Sequence, residues 1–329
     1  MVFSNQVMQV LQEQTVGQEY AVAALTRAVT LALAGLRRPS DVLGVLLFFG
    51  PASSGKTHMA RLLSRLLTGG EQSMTYINCQ QLDQTDSLDE LNGRLNSPVW
   101  EAMRSPVISP SWFRVVVFEQ IDKAPPTFRD DLALAIDCGA ITIKGRPLPL
   151  RNAFIVLIGD LPRKKADQLS GRTIGFFLDG ETAVEMSRRQ AIALEEVDNR
   201  LGPRLVSRID EIVVFDRLNE QNIITLLERR LAQIERYLAT FCIGFIVEQE
   251  AKTFLIKEGL EDLNHGARQI TRVVRNHLEF PLTDLMLSRR LLPGTTVTVG
   301  FKPHATFLDF LIMVPALAKE SSMTATTHV

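Results

Sequence analysis

The stretch Gly50-Pro51-Ala52-Ser53-Ser54-Gly55-Lys56-Thr57 constrains this chain more than any other. It follows the apolar run from Leu43 to Phe49 and precedes the helical pattern Met59, Leu62, Leu63, Leu66, so it joins a buried strand to an amphipathic helix. At the spacing G-x-x-x-x-G-K-T, backbone N–H groups of the loop and of the helix N-terminus wrap a polyphosphate. Lys56 then reaches the β- and γ-phosphate oxygens, and the Thr57 hydroxyl becomes a ligand for Mg²⁺. A chance Gly/Ser turn is the rival reading, and the flanking strand and helix weigh against it.

The remaining pattern agrees with a sheet built around that loop. A second strand is expected near 73–78. Arg114-Val115-Val116-Val117-Phe118 is continuously apolar, as in a parallel strand covered on both faces, and it runs into Glu119-Gln120-Ile121-Asp122. Acidic groups at the carboxyl end of such a strand stand where Mg²⁺ and an attacking water have to be placed. A helix over 128–137, a hairpin around Gly145, and strands over 153–158 and 211–215 follow. This alternation predicts an α/β fold, a doubly wound parallel P-loop sheet over residues 1–217. Residues 218–303 have helical periodicity until Thr295 to Phe301 alternates as one strand, which predicts a small, mostly helical lid domain. Residues 304–329 read as a tail, partly disordered, with 307–317 as a docking segment.

Composition narrows the function classes. Of 329 residues, 36 are basic and 37 acidic, so the chain has no overall polyanion-binding signature and nucleic acid is not the default partner. Cys79, Cys138 and Cys242 lie far apart without metal-ligand spacing, as expected of reduced thiols in a cytoplasmic protein. The first residues lack the features of a secretory signal, and no apolar run reaches the roughly 18 residues of a membrane span.

Five motifs in one order carry a family resemblance. They are Val16-Gly17-Gln18 followed by Ala21-Val22, residues 50–57, Val115 to Ala124, Ser207 to Phe215, and Gly266-Ala267-Arg268. Over about 8–303 the chain resembles AAA+ ATPases of the Clp type, especially the second ATPase module of ClpA, ClpB and ClpC. The resemblance implies ATP and Mg²⁺ as ligands. It implies nucleotide contacts from Val16, Gly17, the 50–57 loop and His58, and metal contacts from Thr57 and Glu119. Arg208 corresponds to an arginine finger entering a neighbouring subunit's site, and Arg268 to sensor 2. A homo-oligomer, a hexameric ring acting on a protein substrate, is the implied assembly.

The chain departs from that family where chemistry is expected. Gln120 occupies the place of the water-activating glutamate, and an amide has no comparable basicity, so hydrolysis should be slow or trapped. Two origins fit: an engineered Glu→Gln substitution that traps ATP, or a naturally inactive ATP-binding protein. Asp160 occupies the place of the sensor 1 asparagine and is counted among the catalytic residues with Glu119, Gln120, Arg208 and Arg268. The family's aromatic pore tripeptide is absent. Trp100 is the nearest substitute for gripping a polypeptide, and packing under its loop is the rival reading. Ile174-Gly175-Phe176 falls where some relatives dock a protease ring, and it reads equally as a loop anchor. A remodelling ring and an ATP-gated recruitment switch of a mobile-element, defence or secretion system, possibly DNA-associated, both remain open.

Overall fold

The computed structural model describes residues 2–34, 42–68, 74–82, 114–143, 146–150, 152–160, 194–261, 266–302 and 307–314. Trp100 and Ile174 to Phe176 lie outside them. The chain divides into two compact units, Met1–Arg217 and Leu218–Val329.

The first unit is built on β1 (Gly44–Gly50), β2 (Met74–Asn78), β3 (Arg114–Glu119), β6 (Ala153–Asp160) and β7 (Glu211–Val214). They form one sheet in the order β2-β3-β6-β1-β7, with every pairing parallel. The central strands carry no polar alternation because both faces are covered. Leu47, Phe49, Val116, Phe118, Ile155 and Leu157 enter one core with Phe128, Leu132 and Ile136. Leu46, Phe48, Val115, Val117, Val156 and Ile158 enter the opposite core with Leu25, Met59 and Leu63. Each fully buried large apolar side chain contributes about 1.5–3 kcal/mol. The interior therefore fixes the sheet and leaves its strand ends available for polar work.

Helices α1 (Val2–Gln14), α2 (Glu19–Leu33) and α3 (Lys56–Thr68) belong to the second of these cores, and α4 (Pro126–Cys138) to the first. Pro126 opens α4 at a position where its missing N–H costs nothing, and Gly139 closes it in the left-handed conformation with its N–H on Ala135 and Ile136 carbonyls. The expected hairpin is present as β4 (Ala140–Ile143) paired antiparallel with β5 (Arg146–Pro149). Strand β7 is registered by Asp210, whose N–H donates to the Val45 carbonyl at 2.8 Å while its Oδ2 accepts from the Val45 N–H at 2.7 Å.

The second unit holds α5 (Glu220–Ala239), α6 (Gln249–Leu260), α7 (Gly266–Val274) and α8 (Phe280–Leu287). Asn219 and Asn222 cap α5 reciprocally, each side chain accepting from the other's backbone N–H. A π-turn, Arg275–Glu279, separates α7 from α8, next to Pro281, which has no N–H to continue an α ladder.

Two expectations need correction here. The second unit contains β8 (Gly244–Val247), β9 (Thr296–Gly300) and β10 (Asp309–Met313) in one sheet of order β10-β9-β8, and not one strand alone. Strand β8 (Gly244–Val247) is only four residues long, so its alternation is too short to stand out from the helices around it. Strand β10 (Asp309–Met313) pairs antiparallel with β9 (Thr296–Gly300), so these residues of the expected tail belong to the domain's sheet, with Leu308, Phe310 and Ile312 packed in or against its core.

Candidate nucleotide site

The 50–57 loop leaves the end of β1 at the centre of the sheet. Two glycines are required by its path. A Cβ on Gly50 would stand 2.6 Å from the Phe215 carbonyl oxygen, and Gly55 has φ +100. Ser53 is also left-handed, with φ 62. Lys56 then begins α3 as a buried residue, its ammonium donating to the Gly50 carbonyl at 2.8 Å and the Pro51 carbonyl at 2.6 Å. Its remaining partner is Asp160 Oδ1 at 2.9 Å. Burial lowers the Lys56 pKa, opposed by Asp160 first and then by Glu119 and Asp122.

Parallel register places Asp160 opposite Gly50, and β6 lies between β1 and β3. At the end of β3, Glu119 accepts from the Thr57 hydroxyl at 3.1 Å on each carboxylate oxygen, and from the Tyr76 hydroxyl at 2.7 Å on Oε2. A hydroxyl beside a carboxylate is an all-oxygen donor pair suited to a hard cation that keeps water and phosphate oxygens in its shell. Thr57 and Glu119 thus fit Mg²⁺.

Gln120 turns the chain out of β3 with φ 56, a strained value for a residue with a side chain, and its carbonyl accepts from the Lys123 N–H. Its Oε1 is buried without a hydrogen-bond donor. Asp122 resembles it in part: Oδ1 is buried without a partner, and Oδ2 lies 3.6 Å from Arg200 Nη1. Burial pushes the Asp122 carboxyl up, and the Asp160 charge adds to the shift. Nearby, burial pushes the Cys79 thiol up to about 12, with help from the Asp122 and Glu119 charges, so it is no nucleophile at neutral pH.

The loop before α2 is pinned by a residue outside the expected contact set. Gln18 is buried, donates through Nε2 to the Asp216 carbonyl at 3.0 Å and accepts from the Asp216 N–H at 2.9 Å. Beside it, Val16 and Gly17 are half-buried. The exposed His58 ring is 3.1 Å from the Gln14 carbonyl, so in this structure it ties α3 to the end of α1.

Arg208 lies beyond the short turn Pro203–Val206. Its guanidinium forks onto Asp137 at the end of α4, with Nη2 2.6 Å from Oδ2 and Nε 3.0 Å from Oδ1, while Nη1 donates to the Arg204 carbonyl and Ser207 Oγ. The pair holds the Asp137 carboxyl below its ordinary range. Arg268 is exposed in the first turn of α7, in the second unit.

Sequence reasoning brought Lys56, Thr57, Glu119, Gln120 and Asp160 forward, and the first unit gathers them at the carboxyl ends of its inner strands β1, β3 and β6. It missed Gln18, Tyr76, Asp137 and Arg200. Arg200, in the helix over 194–201, donates to the Asp160 carbonyl at 3.4 Å and pairs with Glu196 at 2.9 Å, and its own carbonyl accepts from Arg129. Only the Val16-Gly17-Gln18 motif offered a signal for any of these. The other contacts join segments far apart in the chain.

The family model for the AAA domain (Cdc48 subfamily) matches residues 41–212, and that for the C-terminal D2-small domain of ClpB protein matches residues 218–299. The chain belongs to the AAA+ ATPases of the Clp type. This AAA+ module is 31% identical over 294 residues to the chaperone protein ClpD, chloroplastic, of Arabidopsis thaliana, which covers 88% of the chain and 31% of that protein. It is 27% identical over 293 residues to ClpC of Staphylococcus aureus (strain USA300), the ATP-binding subunit of an ATP-dependent Clp protease, covering 88% and 35% respectively. The chain thus spans about a third of the length of the curated relatives it matches.

Two solved structures share the fold. Hsp104 in a closed state with ATPγS and FITC casein superposes with a TM-score of 0.68 at 22% identity, over 94% of this chain and 51% of that one. The Saccharomyces cerevisiae Hsp104–ADP complex gives 0.72 at 23% identity, over 93% and 52%. Among the described residues, no helix is long and apolar enough to cross a membrane.

Proposed function

We propose that this AAA+ module binds Mg·ATP on the 50–57 loop and uses the nucleotide state of a homo-oligomeric, hexameric ring to remodel a protein partner. The observation that carries the reading is the convergence of Lys56 and Thr57, at the start of α3, with Glu119 and Asp160 at the ends of neighbouring strands. Lys56 would exchange Asp160 for phosphate oxygens, and Thr57 and Glu119 would hold Mg²⁺, which screens phosphate charge when bound. Phosphoryl transfer depends mainly on positioning and charge stabilisation, and both are supplied here by strand ends that a double-faced core keeps in place.

Arg208 is assigned to the neighbouring subunit's nucleotide and Arg268 to the nucleotide from the second unit. Each extends the charge stabilisation that Lys56 begins. Gln120 makes hydrolysis slow, since its amide has no basicity to offer and its oxygen is enclosed. That same residue favours a second reading, in which the ring is an ATP-gated switch that recruits a partner and turns over rarely.

The deciding measurement is equilibrium binding of a fluorescent ATP analogue with and without Mg²⁺, joined to sedimentation of the protein. Expected are Mg²⁺-dependent binding, its loss in Lys56→Ala, and ATP-dependent assembly. Binding unaffected by Lys56→Ala would overturn the assignment of the site.

A further inference from the structure

The oxygens near the phosphate loop are unequally available. Glu119 is engaged by the Thr57 and Tyr76 hydroxyls. The Gln120 amide oxygen and Asp122 Oδ1 are enclosed without donors. The Asp160 side chain, by contrast, is 36% exposed, and its carboxylate sits on the Lys56 ammonium, the group that a terminal phosphate would claim.

Resting on the nucleotide-site reading above, the geometry points to Asp160 as the carboxylate that orients the attacking water and accepts its proton, so that the acid missing at position 120 is supplied from the adjacent strand. Position 120 is an amide and position 160 an acid, whereas the Clp-type pattern has the acid at 120 and the amide at 160. The two functional groups have changed places across the β3–β6 pairing. That pairing aligns Glu119 with Ile158, and β1 aligns Gly50 with Asp160, so the relocated carboxylate stands at the strand end facing the loop that cradles the phosphates.

When ATP enters, Lys56 moves its charge to the phosphate oxygens and the Asp160 carboxylate loses its ammonium partner. A water bridging Asp160 and the γ-phosphate then satisfies it. The water oxygen forms the new bond to the γ-phosphorus as the bond from that phosphorus to the β–γ bridging oxygen breaks, its electron pair leaving with ADP. One water proton passes to Asp160 and from there to the released phosphate. In the nucleotide-free chain the same carboxylate competes with ATP for Lys56, so Asp160 opposes binding while promoting turnover.

The two effects separate in Asp160→Asn, which keeps shape and removes the charge. In the full chain, with fluorescent ATP analogue binding and steady-state phosphate release measured side by side, Asp160→Asn is expected to bind nucleotide several-fold more tightly. It should also release phosphate about 100-fold more slowly than the unsubstituted chain, the scale of a lost proton acceptor. The exchange variant Gln120→Glu/Asp160→Asn is expected to regain hydrolysis, which a collapsed site would not.

Three results would overturn the assignment: undiminished phosphate release by Asp160→Asn, release by the unsubstituted chain no faster than by Lys56→Ala, or a silent exchange variant that still binds ATP. Failure of the underlying reading looks different, since the unsubstituted chain would then not bind the analogue at all.

Discussion

In the first unit, neighbouring residues of β1 enter different cores, Leu47 and Phe49 on one side of the sheet and Leu46 and Phe48 on the other. In the second unit, Phe245 and Val297 face a core, while Ile246, Leu311 and Met313 on the opposite side are about half exposed or more. A sheet covered on both faces has only its strand ends free, so polar groups from β1, β3 and β6 collect there. A sheet covered on one face spreads its accessible atoms over a surface, and in this chain that surface is apolar where Ile246 and Leu311 flank Thr298. The site residues of the first unit follow from its layering as much as from its motifs.

Four substitutions would break or sharpen that contrast. The largest effect is expected from Arg208→Ala made in a Gln120→Glu background, a loss of about 1,000-fold or more in phosphate release with ATP binding retained. Mixing these subunits with Lys56→Ala subunits should restore part of the activity. Loss of ATP binding by Arg208→Ala alone would instead make the Arg208–Asp137 pair a local prop. Next, Gln120→Glu made in the Asp160→Asn chain should raise steady-state phosphate release about 100-fold over Asp160→Asn alone. A background rate with ATP still bound would mean that the strand-end site is a switch and not a slow enzyme.

The remaining two compare the sheets directly by chemical denaturation. Phe48→Ala, at a fully buried position, should cost about 3–5 kcal/mol. Leu311→Ala, at 62% exposure on the one-sided sheet, should change stability by about 0.5 kcal/mol or less. Comparable losses at the two positions would show that the outer face of the second sheet is covered in solution.

What could be read in advance follows the same physics. The runs Val115 to Phe118 and Ala153 to Ile158 announce parallel strands because burial on both faces removes every polar interruption. Residues 50–57 announce phosphate chemistry because backbone geometry limits which residues fit. Strand β8 escapes notice because four residues give too few alternations, and β10 because Asp309 and a following Pro315 make an apolar run look like a loose end. At the site, Lys56 and Thr57 are legible from one local motif. The pairing of Lys56 with Asp160, the Tyr76 bond to Glu119 and the Asp137 anchor of Arg208 are products of strand order and helix placement, which no local spacing encodes.

The Gln18 amide has a mechanical side. It holds both the N–H and the carbonyl of Asp216, two residues before the second unit begins at Leu218. Both backbone polar groups of that residue are thereby held by one amide, so the backbone leaving the first unit is fixed at two points at once. Gln18 immediately precedes α2, 198 positions earlier in the chain, so the end of β7 is tied to a helix that shares a core with Val213 and Phe215. A rivet of this kind keeps the end of an edge strand from fraying where, among the described residues, no further strand lies beside it in the sheet.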